Sequence, residues 1–399
     1  MTTHVDVDRY SAALSPLRIG RMERVKNRVY FAPMGIDLAD DDGSLSEPML
    51  DFYKGMIQGG CGMVVLGNSS IDPSTRLQSR GLCLYTTRHA NRIALVIAYG
   101  ADHDCRVAVQ LQHYGAQGNC QHTSTPLLSP SGIPCRRMQN IDPTYRVRPM
   151  DLSDIAIVRA QFVRAAGLAR QAGADLVQLQ ASNGYLLSSF LSPYTNRRTD
   201  DYGGTPMRRA RLLLEVIDDI RSATGNSLDI SIRLGIDDCL GDAGQRPHLL
   251  HEVTRALEQA GVAAIMCSIS IGETFDRMIH PTPETRRLLL EGVRSIRSTV
   301  SIPIGFAGFV GSLSEVETLV ADGTTDLVGM TRALFADNDL IRKSVAGQAH
   351  LVDACRFDGN CFRDKGNPDL DRVYCCVNPN YRRPAHIKYS LEGSHDVQR

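Results

Sequence analysis

The sequence predicts an α/β protein built as a TIM (β/α)8 barrel, followed by a cysteine-containing C-terminal extension. Eight short β-rich runs recur along the chain, and most are followed by a segment with helical periodicity. Continuous apolar runs of this length are typical of parallel strands that are buried on both faces. Glycine follows several of the helical segments, where helices commonly end. Eight β/α units in about 320 residues therefore indicate a barrel with insertions.

The predicted elements alternate in the order that a barrel requires. The strands are Val29–Met34, Gly62–Asn68, Arg106–His113, Ala174–Ala181, Asp229–Gly235, Ala264–Ser270, Ile302–Gly308 and Thr325–Thr331. The helices are Glu47–Gln58, Thr86–Asp102, Ser153–Ala172, Pro206–Thr224, Pro247–Ala260, Glu284–Ser298, Ser312–Ala321 and Ala333–Ala346. A doubly wound sheet is the alternative, but no strand precedes the G-x-G-x-x-G helix start that usually accompanies that fold.

Two insertions and a tail fall outside this alternation. The run from Asn183 to Gly204 is too long for a turn and too apolar for a solvated linker, so we expect it to fold beside the preceding strand. Residues 119–150 are rich in Pro, Ser and Arg, and should fold over the barrel mouth or form a small hairpin. We therefore assign residues 1–350 to the barrel and residues 351–399 to the extension, which holds four of the eleven cysteines.

The composition favours a cytoplasmic enzyme that acts on a small molecule. The chain has 44 basic and 44 acidic residues and no long run of one sign, which argues against nucleic acid or a membrane surface as partner. It contains no stretch of 18 apolar residues, and its N-terminus lacks a secretory pattern. An odd number of cysteines without such a signal argues against a disulfide framework. A homo-oligomeric state stays open.

Polar residues and glycines at the carboxyl ends of the predicted strands mark the candidate site, because βα loops carry function in this fold. Arg233 lies within an otherwise apolar strand and needs a polar or anionic partner to offset its burial. Glycines and backbone amides after the last two strands are typical of a phosphate site. A phosphate-bearing cofactor in the barrel mouth would satisfy all of these features. The candidate residues are Pro33, Met34, Gly35, Gln110, His113, Gln180, Asn183, Tyr185, Arg233, Gly308, Thr331 and Arg332.

An ordered set of motifs spans almost the whole chain. The motifs are LSPLRIG at 14–20, KNR at 26–28, APM at 32–34, QLQHYG at 110–115, NGYL at 183–186, FLSPYTNR at 190–197, DYGG at 201–204 and DLVGMTR at 326–332. Together they resemble the Old Yellow Enzyme family of NADH:flavin oxidoreductases. Within that family the chain is most similar to the iron–sulfur branch that includes bacterial dienoyl-CoA reductase and trimethylamine dehydrogenase.

The resemblance implies FMN bound non-covalently in the barrel mouth, with NADH or NADPH as electron donor. An arginine beside the flavin would stabilise the negative charge of its reduced form. The implied roles are Pro33, Met34 and Gly35 behind the isoalloxazine ring, Gln110 at its pyrimidine edge, Arg233 near N1–C2, and Gly308, Thr331 and Arg332 at the phosphate. From the residues alone, Gln110 is also explicable as a strand-end amide, Arg332 as a surface cation and His113 as a satisfied buried histidine.

Tyr185 matches the proton donor of the family members that reduce alkenes. In those members hydride from the flavin reaches the β-carbon of an activated alkene, and an acid on the opposite face protonates the α-carbon. Many members grip the carbonyl oxygen with His-x-x-His or His-x-x-Asn, whereas this chain has Gln180-x-x-Asn183. Glutamine donates a hydrogen bond without positive charge, so the substrate stays open. The alternatives are Tyr185 as a packing aromatic and His280 as the acid.

The cysteines of the extension match the iron–sulfur motif of that branch in part. The branch has three closely spaced cysteines and a fourth before Val-Asn-Pro, and here Cys355, Cys361 and Cys375 match those positions. Asp358 stands where the remaining cysteine is expected, so a [4Fe-4S] cluster would have one carboxylate ligand, which is a harder ligand than thiolate. Cys376 as a replacement ligand, a remnant without a cluster and a zinc site are the alternatives.

The resemblance implies an FMN-dependent oxidoreductase that reduces a C=C bond conjugated to a carbonyl. One alternative is a dehydrogenase that oxidises an amine or C–H bond and passes electrons through the iron–sulfur cluster. Another is a non-catalytic barrel that acts as a redox adaptor. Because the sequence stops at Arg399 without the glycine fingerprint of a nucleotide-binding module, we expect a cluster to exchange electrons with a separate protein.

Overall fold

A computed structural model describes residues 8–123, 125–225, 227–363 and 372–382. Eight parallel strands close into a barrel, which confirms the predicted TIM fold. The barrel strands are β3 (Val29–Phe31), β4 (Met63–Ser70), β5 (Arg106–Gln112), β8 (Leu176–Ala181), β9 (Asp229–Asp237), β10 (Ala264–Ile269), β11 (Ile304–Ala307) and β12 (Leu327–Gly329). The strands outside the barrel are β1 (Leu17–Ile19), β2 (Met22–Val25), β6 (Leu127–Ser129) and β7 (Val147–Pro149).

Helices cover the outside of the barrel, and short ones lie around its mouth. The helices of the first half are α1 (Glu47–Gln58), α2 (Thr87–Asp102), α3 (Arg136–Ile141), α4 (Leu152–Gln171), α5 (Leu186–Leu191) and α6 (Pro206–Thr224). Those of the second half are α7 (His251–Gln259), α8 (Asp276–Ile279), α9 (Pro283–Arg297), α10 (Leu313–Ala321), α11 (Arg332–Ala336), α12 (Leu340–Val345) and α13 (Asn360–Arg363). No helix of the described residues is long and apolar enough to cross a membrane.

The predicted helix over residues 333–346 is wrong, because two helices, α11 and α12, replace it. The carboxylate of Asp337 lies at the break, where it accepts the amide of Asp339 at 3.0 Å. It also accepts Lys343 Nζ at 2.6 Å and the amide of Asp353 at 2.9 Å. Because aspartate competes for backbone donors in this way, it favours a turn over a continuous helix.

The first, seventh and eighth barrel strands are shorter than predicted at their carboxyl ends. β3 stops at Phe31, and Pro33, which follows it, has no amide hydrogen for a ladder. β11 and β12 stop at Ala307 and Gly329. The chain after these three strands is therefore loop at the barrel mouth, which is where the predicted cofactor residues lie.

A hairpin of β1 and β2 covers the opposite end of the barrel, a feature that the strand pattern did not predict. The two strands pair antiparallel, with Ile19 opposite Met22. Their buried side chains pack against residues at the amino ends of the barrel strands, such as Met63 and Leu327. Ligands therefore have access from the other end, where the βα loops lie.

The insertion over residues 119–150 folds across the barrel mouth, as one of the two expectations had it. The hairpin alternative is wrong, because β6 and β7 pair in parallel and α3 lies in the crossover between them. The hydroxyl of Tyr145 ties the crossover down by accepting the amide of Cys135 at 2.9 Å and donating to the carbonyl of Ala116 at 2.8 Å.

The run from Asn183 to Gly204 is folded, as predicted from its apolar content. It contains α5, whose six residues are all buried. The side-chain Nδ2 of Asn196 donates to the backbone carbonyls of Phe190 and Tyr202, both at 2.7 Å. These two bonds hold the ends of the segment together. Arg209 Nε donates to the carbonyl of Leu191 at 2.7 Å and so links the segment to α6.

The described part of the C-terminal extension packs on the barrel. The ring of Tyr381 stacks on Phe335 of α11 with 5.1 Å between centroids and also contacts Phe52 of α1. Asn378 Nδ2 donates to the carbonyl of Phe335 at 2.8 Å. Cys375 is part of the same buried cluster as the barrel core.

Candidate active site

A cavity with an empty volume of about 1060 Å³ lies at the carboxyl ends of the barrel strands. This volume includes the open space at the barrel mouth, where the βα loops usually carry the ligand site. Ten of the sequence-predicted residues line it: Pro33, Met34, Gly35, Gln180, Asn183, Tyr185, Arg233, Gly308, Thr331 and Arg332. Among the described residues, the lining includes three arginines and no carboxylate. The cavity is therefore suited to an anionic ligand.

Arg233 places a cation in the barrel interior beside the cavity. It lies on β9, next to Gln180 of β8 in the sheet. Its Nη1 donates to the carbonyl of Pro33 at a long 3.4 Å, and no carboxylate of the described residues forms an ion pair with it. Burial lowers its pKa, and the nearby hydroxyls of Tyr30 and Tyr185 oppose that shift. The guanidinium therefore needs a polar partner from a ligand.

Gln110 lies just below the cavity and does not line it. Its amide nitrogen donates to Gln178 Oε1 at 2.9 Å, while its own Oε1 is buried without a hydrogen-bond partner. A buried acceptor without a donor costs about 1–3 kcal/mol. A Cβ on Gly67 would lie 2.9 Å from Cβ of Pro33, which lines the cavity, and 3.3 Å from Gln110 Oε1, so glycine leaves space beside both. The carbonyl is an available acceptor for a ligand N–H.

The loops after β11 and β12 carry Gly308 and Thr331, two of the residues predicted to bind a phosphate, and both line the cavity. Gly308 has φ +152°, which side-chain-bearing residues rarely adopt, and a Cβ there would press on Leu289 at 3.1 Å. The hydroxyl of Thr331 donates to the carbonyl of Ala32 at 3.1 Å and fixes the loop after β12 on the strand β3 side. Backbone atoms of these two loops therefore form part of the cavity wall.

Arg332 is not the surface cation that the sequence left as an alternative. Its Nη1 donates to the carbonyl of Ile279 at 2.6 Å, and its guanidinium lies 4.8 Å from the centroid of the Phe357 ring. The rings of Phe309 and Phe362 also flank it. Burial lowers its pKa. Its side chain therefore forms the wall between the main cavity and the cysteine-lined cavity described below.

Tyr185 lies at the start of α5, directly above the end of β8. Its backbone is fixed by the Ser189 amide, which donates to its carbonyl at 2.7 Å, and its ring packs edge-on against Tyr114 at 5.5 Å. Burial raises the pKa of the phenol, and the charge of Arg137 and the Gln112 amide oppose the shift. Gln112 Nε2 is nevertheless not positioned for a well-formed hydrogen bond to the phenol. The phenol thus stays protonated at neutral pH.

Gln180 and Asn183 differ in what they leave available to a ligand. Gln180 Oε1 accepts Ser182 Oγ at 2.7 Å, while its Nε2 has no acceptor among the described residues. Asn183 Nδ2 donates to Ser268 Oγ at 3.2 Å and to the carbonyl of Ile269 at 3.0 Å, so it ties the loop after β8 to β10. The pair predicted to grip a carbonyl oxygen therefore offers one free donor, on Gln180.

Four residues of the site, two of them from the extension, were not predicted from the sequence. Phe275, before α8, stacks on the guanidinium of Arg137 at 4.0 Å, and both line the cavity. Phe357 and Phe362, from the extension, complete the wall and lie next to Arg332. The richness of the insertion in arginine was a signal for Arg137, but nothing local indicated which arginine faces inward.

The predicted metal-binding residues surround a second, smaller cavity on the far side of Arg332. Cys355, Asp358, Cys361 and Cys375 all line it, and so does Cys376. Backbone amides of Phe357 and Asn378 lie 3.4 Å from the sulfurs of Cys355 and Cys375, a contact that stabilises thiolates. Burial raises the pKa of Cys361 to about 12, against the charge of Arg332.

The geometry of this second cavity is not that of a formed metal site. Asp358 Oδ1 accepts the Asn360 amide at 3.1 Å, and Asn360 Nδ2 donates to Cys376 Sγ at 3.3 Å. Among the described residues, no three His, Cys, Asp or Glu side chains are placed to hold a metal ion. The cysteine and aspartate side chains are of a type that binds iron, but they do not converge on one point. The iron–sulfur cluster therefore stays a prediction.

His113 and His280 do not line the main cavity. His113 Nδ1 lies 3.1 Å from Thr75 Oγ1 and accepts the Gly115 amide at 3.1 Å, so the histidine is buried and satisfied. Burial lowers its pKa to about 4. His280 follows α8, lies beside Gly359 of the extension, and is not among the residues that line the cavity with Tyr185.

His113 should make the fold sensitive to acid. Its pKa is about 6.5 when unfolded and about 4 when folded, so only the unfolded state gains a proton between these values. The contribution of His113 to the free energy of unfolding is therefore greatest above about pH 6.5. It falls as the pH drops toward 4, by about 2 kcal/mol at pH 5. The amide oxygen of asparagine can still accept both donors. We therefore expect the free energy of unfolding in urea to drop between pH 7.5 and pH 5 by about 2 kcal/mol less in His113→Asn than in the wild type. The exposed His248→Asn is the control, and an unchanged difference in His113→Asn would contradict the assignment.

Comparison with known proteins places the chain among flavin oxidoreductases. The profile of the NADH:flavin oxidoreductase / NADH oxidase family matches residues 14–350. NADH oxidase of Thermoanaerobacter brockii is 30% identical over 369 residues, which are 91% of this chain and 55% of that protein. The chain thus spans about half the length of that relative.

Two solved structures share the fold over almost the whole chain. Histamine dehydrogenase from Rhizobium sp. 4-9 superposes with a TM-score of 0.80 at 26% identity, over 94% of this chain and 53% of that one. A 2-naphthoyl-CoA reductase in complex with 2-naphthoyl-CoA superposes with a TM-score of 0.83 at 22% identity, over 93% and 57% of the two chains.

Proposed function

The chain belongs to the NADH:flavin oxidoreductase / NADH oxidase family, whose members are FMN- and NAD(P)H-dependent enzymes, and we propose that it reduces a C=C bond conjugated to a carbonyl. The observation that carries the proposal is the position of the Tyr185 phenol in one cavity with Arg233 and the free amide of Gln180. A proton donor, a hydrogen-bond donor and a buried cation in one pocket suit the addition of hydride and proton across an activated alkene.

The cavity fits FMN on several independent observations. Arg233 lacks an anionic partner, Gln110 Oε1 is an unsatisfied acceptor, and the lining holds three arginines and no carboxylate among the described residues. The residues that would hold FMN are Pro33, Met34, Gly35, Gln110 and Arg233 at the ring, and Gly308, Thr331 and Arg332 at the phosphate. When bound, FMN would supply hydride transfer from NAD(P)H to the substrate.

Residues of this chain would then bind the substrate and move one proton. Gln180 Nε2 would donate a hydrogen bond to the substrate carbonyl, as a neutral donor that stabilises a developing negative charge less than a cation does. Tyr185 would hold its proton at the phenol oxygen, because burial raises its pKa, and would deliver it to the α-carbon. Phe275, Phe357 and Phe362 would exclude water from that region of the cavity.

The proposal is tested by separating the two halves of the reaction. The protein, purified without oxygen, should contain releasable FMN, whose absorbance is bleached by NADH or NADPH. Addition of cyclohex-2-enone or 4-phenylbut-3-en-2-one to the reduced protein should restore the absorbance and yield the saturated ketone by mass spectrometry. A reduced protein that none of a panel of enones, enals and enoates reoxidises would overturn the proposal. Absence of flavin would overturn every flavin-dependent reading.

A second candidate function is oxidation of an amine or C–H bond, with electrons leaving through an iron–sulfur cluster to a separate protein. The observation that favours it is the thiol-lined cavity that adjoins the main one across Arg332. A relative that is 26% identical is a histamine dehydrogenase, which acts on an amine. Bleaching of the flavin by histamine or dimethylglycine without NAD(P)H would favour this candidate. Membership of an enzyme family argues against the non-catalytic redox adaptor.

If a cluster is present, it should depend on Cys361. We expect Cys361→Ser, purified without oxygen, to lose most of its iron and acid-labile sulfide, because serine is a poor ligand for iron–sulfur clusters. Cys120→Ser, which alters a cysteine of the insertion, is the matched control. Equal iron in the wild type and in Cys361→Ser would rule out Cys361 as a ligand. An iron-free wild type would leave a remnant without a cluster or a zinc site, and a zinc assay of the same sample separates these two.

A further inference from the structure

We propose that Arg137 binds a carboxylate group of the substrate, so that the preferred substrates are conjugated carbonyl compounds that also carry a carboxylate. This inference rests on the proposed function and names the substrate class of that same cavity. No role was predicted for Arg137 from the sequence, and the residues implied for FMN do not include it.

The Arg137 side chain lines the same cavity as Tyr185, the proposed proton donor. Arg137 belongs to α3, in the insertion that covers the barrel mouth, and its side chain is half-buried and lines the cavity. Its guanidinium lies 4.0 Å from the Phe275 ring centroid. Arg137 and Tyr185 both line this cavity, so the two groups face the same space.

Arg137 differs from the other two arginines of the cavity in having no polar partner of its own. Arg332 donates to the carbonyls of Ile279 and Met278, and Arg233 donates to that of Pro33. The Arg137 guanidinium, by contrast, contacts the Phe275 ring and has no hydrogen bond or ion pair with a side chain or carbonyl of the described residues. Glu273, an acidic residue beside α3, accepts the backbone amide of Arg136 at 3.2 Å and forms no ion pair with Arg137. The donors of the Arg137 guanidinium are thus left for a ligand.

The surroundings of Arg137 favour a planar anion. Met138, Phe275 and Met278 give the adjoining wall an apolar character, so a charge there is poorly solvated and gains more from a direct partner. The guanidinium presents paired donors that match a carboxylate, and the ring holds its plane in place. Because Arg137 and Tyr185 line the same cavity, a partner of the guanidinium can belong to the molecule whose carbons react at Tyr185. The phosphates of a long carrier such as coenzyme A lie many bonds away from those carbons.

The experiment compares two probes that differ in one charge. They are 4-(3-oxobut-1-enyl)benzoate and the corresponding benzamide, which share the alkene, the ketone and nearly the same shape. Dissociation constants are measured by calorimetry on the oxidised holoprotein without NAD(P)H, and turnover is measured separately. The variants are Arg137→Gln and Arg137→Lys, with Arg136→Gln as the control. Arg136 is the exposed neighbour on the same helix and does not line the cavity.

We expect the wild type and Arg136→Gln to bind the benzoate more tightly than the benzamide. Arg137→Gln should weaken the benzoate about 10- to 100-fold and change the benzamide less than about twofold, as expected for loss of a charge-assisted hydrogen bond. Arg137→Lys should recover part of the loss, because the charge remains but the paired donors do not.

Several results would overturn the inference. They are equal binding of both probes by the wild type, no binding of either, or an equal loss for both in Arg137→Gln. If Arg137→Gln instead slows reduction by NADH as much as it weakens the benzoate, Arg137 serves the phosphates of the electron donor and the inference is wrong. Failure of the proposed function is distinguishable, because binding is measured without turnover. A protein that discriminates the probes but reduces neither would retain the carboxylate site and lose the reductase assignment.

Discussion

Replacing Tyr185 with phenylalanine is expected to slow alkene reduction by about 100- to 10,000-fold, the usual contribution of a positioned general acid. Reduction of the protein by NAD(P)H should stay near the wild-type rate, since no proton from Tyr185 is needed in that half-reaction. Phenylalanine keeps the edge-on packing against Tyr114, so the fold of the segment should survive. Stopped-flow absorbance of each half-reaction, with oxygen excluded, separates the two effects.

The matched control for this prediction is Tyr194→Phe, which removes a phenol from the same folded segment but outside the cavity. Because burial raises the pKa of Tyr185 above 10, the wild type should not lose this proton donor below pH 10. If Tyr185→Phe reduces the enone at the wild-type rate, Tyr185 is not the acid. A parallel slowing of both half-reactions would instead indicate that the cavity has been distorted.

Replacing Arg233 with methionine is expected to weaken FMN binding about 10- to 100-fold, as expected for loss of a hydrogen bond from a charged group. Methionine has a similar length and is apolar, so it fills the same space without the buried charge. Arg233 makes one long hydrogen bond, to Pro33, and no ion pair with a described residue. The apo form should therefore be no less stable than the wild-type apo form. Fluorescence of FMN released on dilution gives the affinity, and urea unfolding gives the stability.

Arg255→Met is the control for this prediction, because Arg255 is exposed on α7, outside the barrel interior. Wild-type FMN affinity in Arg233→Met would show that the cation does not contact the flavin. A large loss of apo-form stability would show that Arg233 has a structural partner within the protein. Either result would also weaken the assignment of the cavity to FMN.

The sequence determined the barrel and its order of elements, because those features depend on interactions between near neighbours. The helix α6 was predicted to the residue: Thr205 caps its first turn, Pro206 occupies the first position, and Gly225 ends it with φ +59°. The eight strands were recognisable because strands buried on both faces must be continuously apolar. The position of strand ends then indicated ten residues that line the cavity.

Tertiary structure alone decided which of the candidate side chains are available for chemistry. The side-chain nitrogen of Asn183 is hydrogen-bonded to residues of β10, which lie more than eighty positions away in the chain. The side-chain nitrogen of Gln180 has no such partner among the described residues. Arg137 reaches the cavity because the insertion crosses over the mouth, and Phe357 reaches it because the extension folds back. Local periodicity carries no information about such contacts, since hydrogen bonds and packing between distant segments depend on how the whole chain closes.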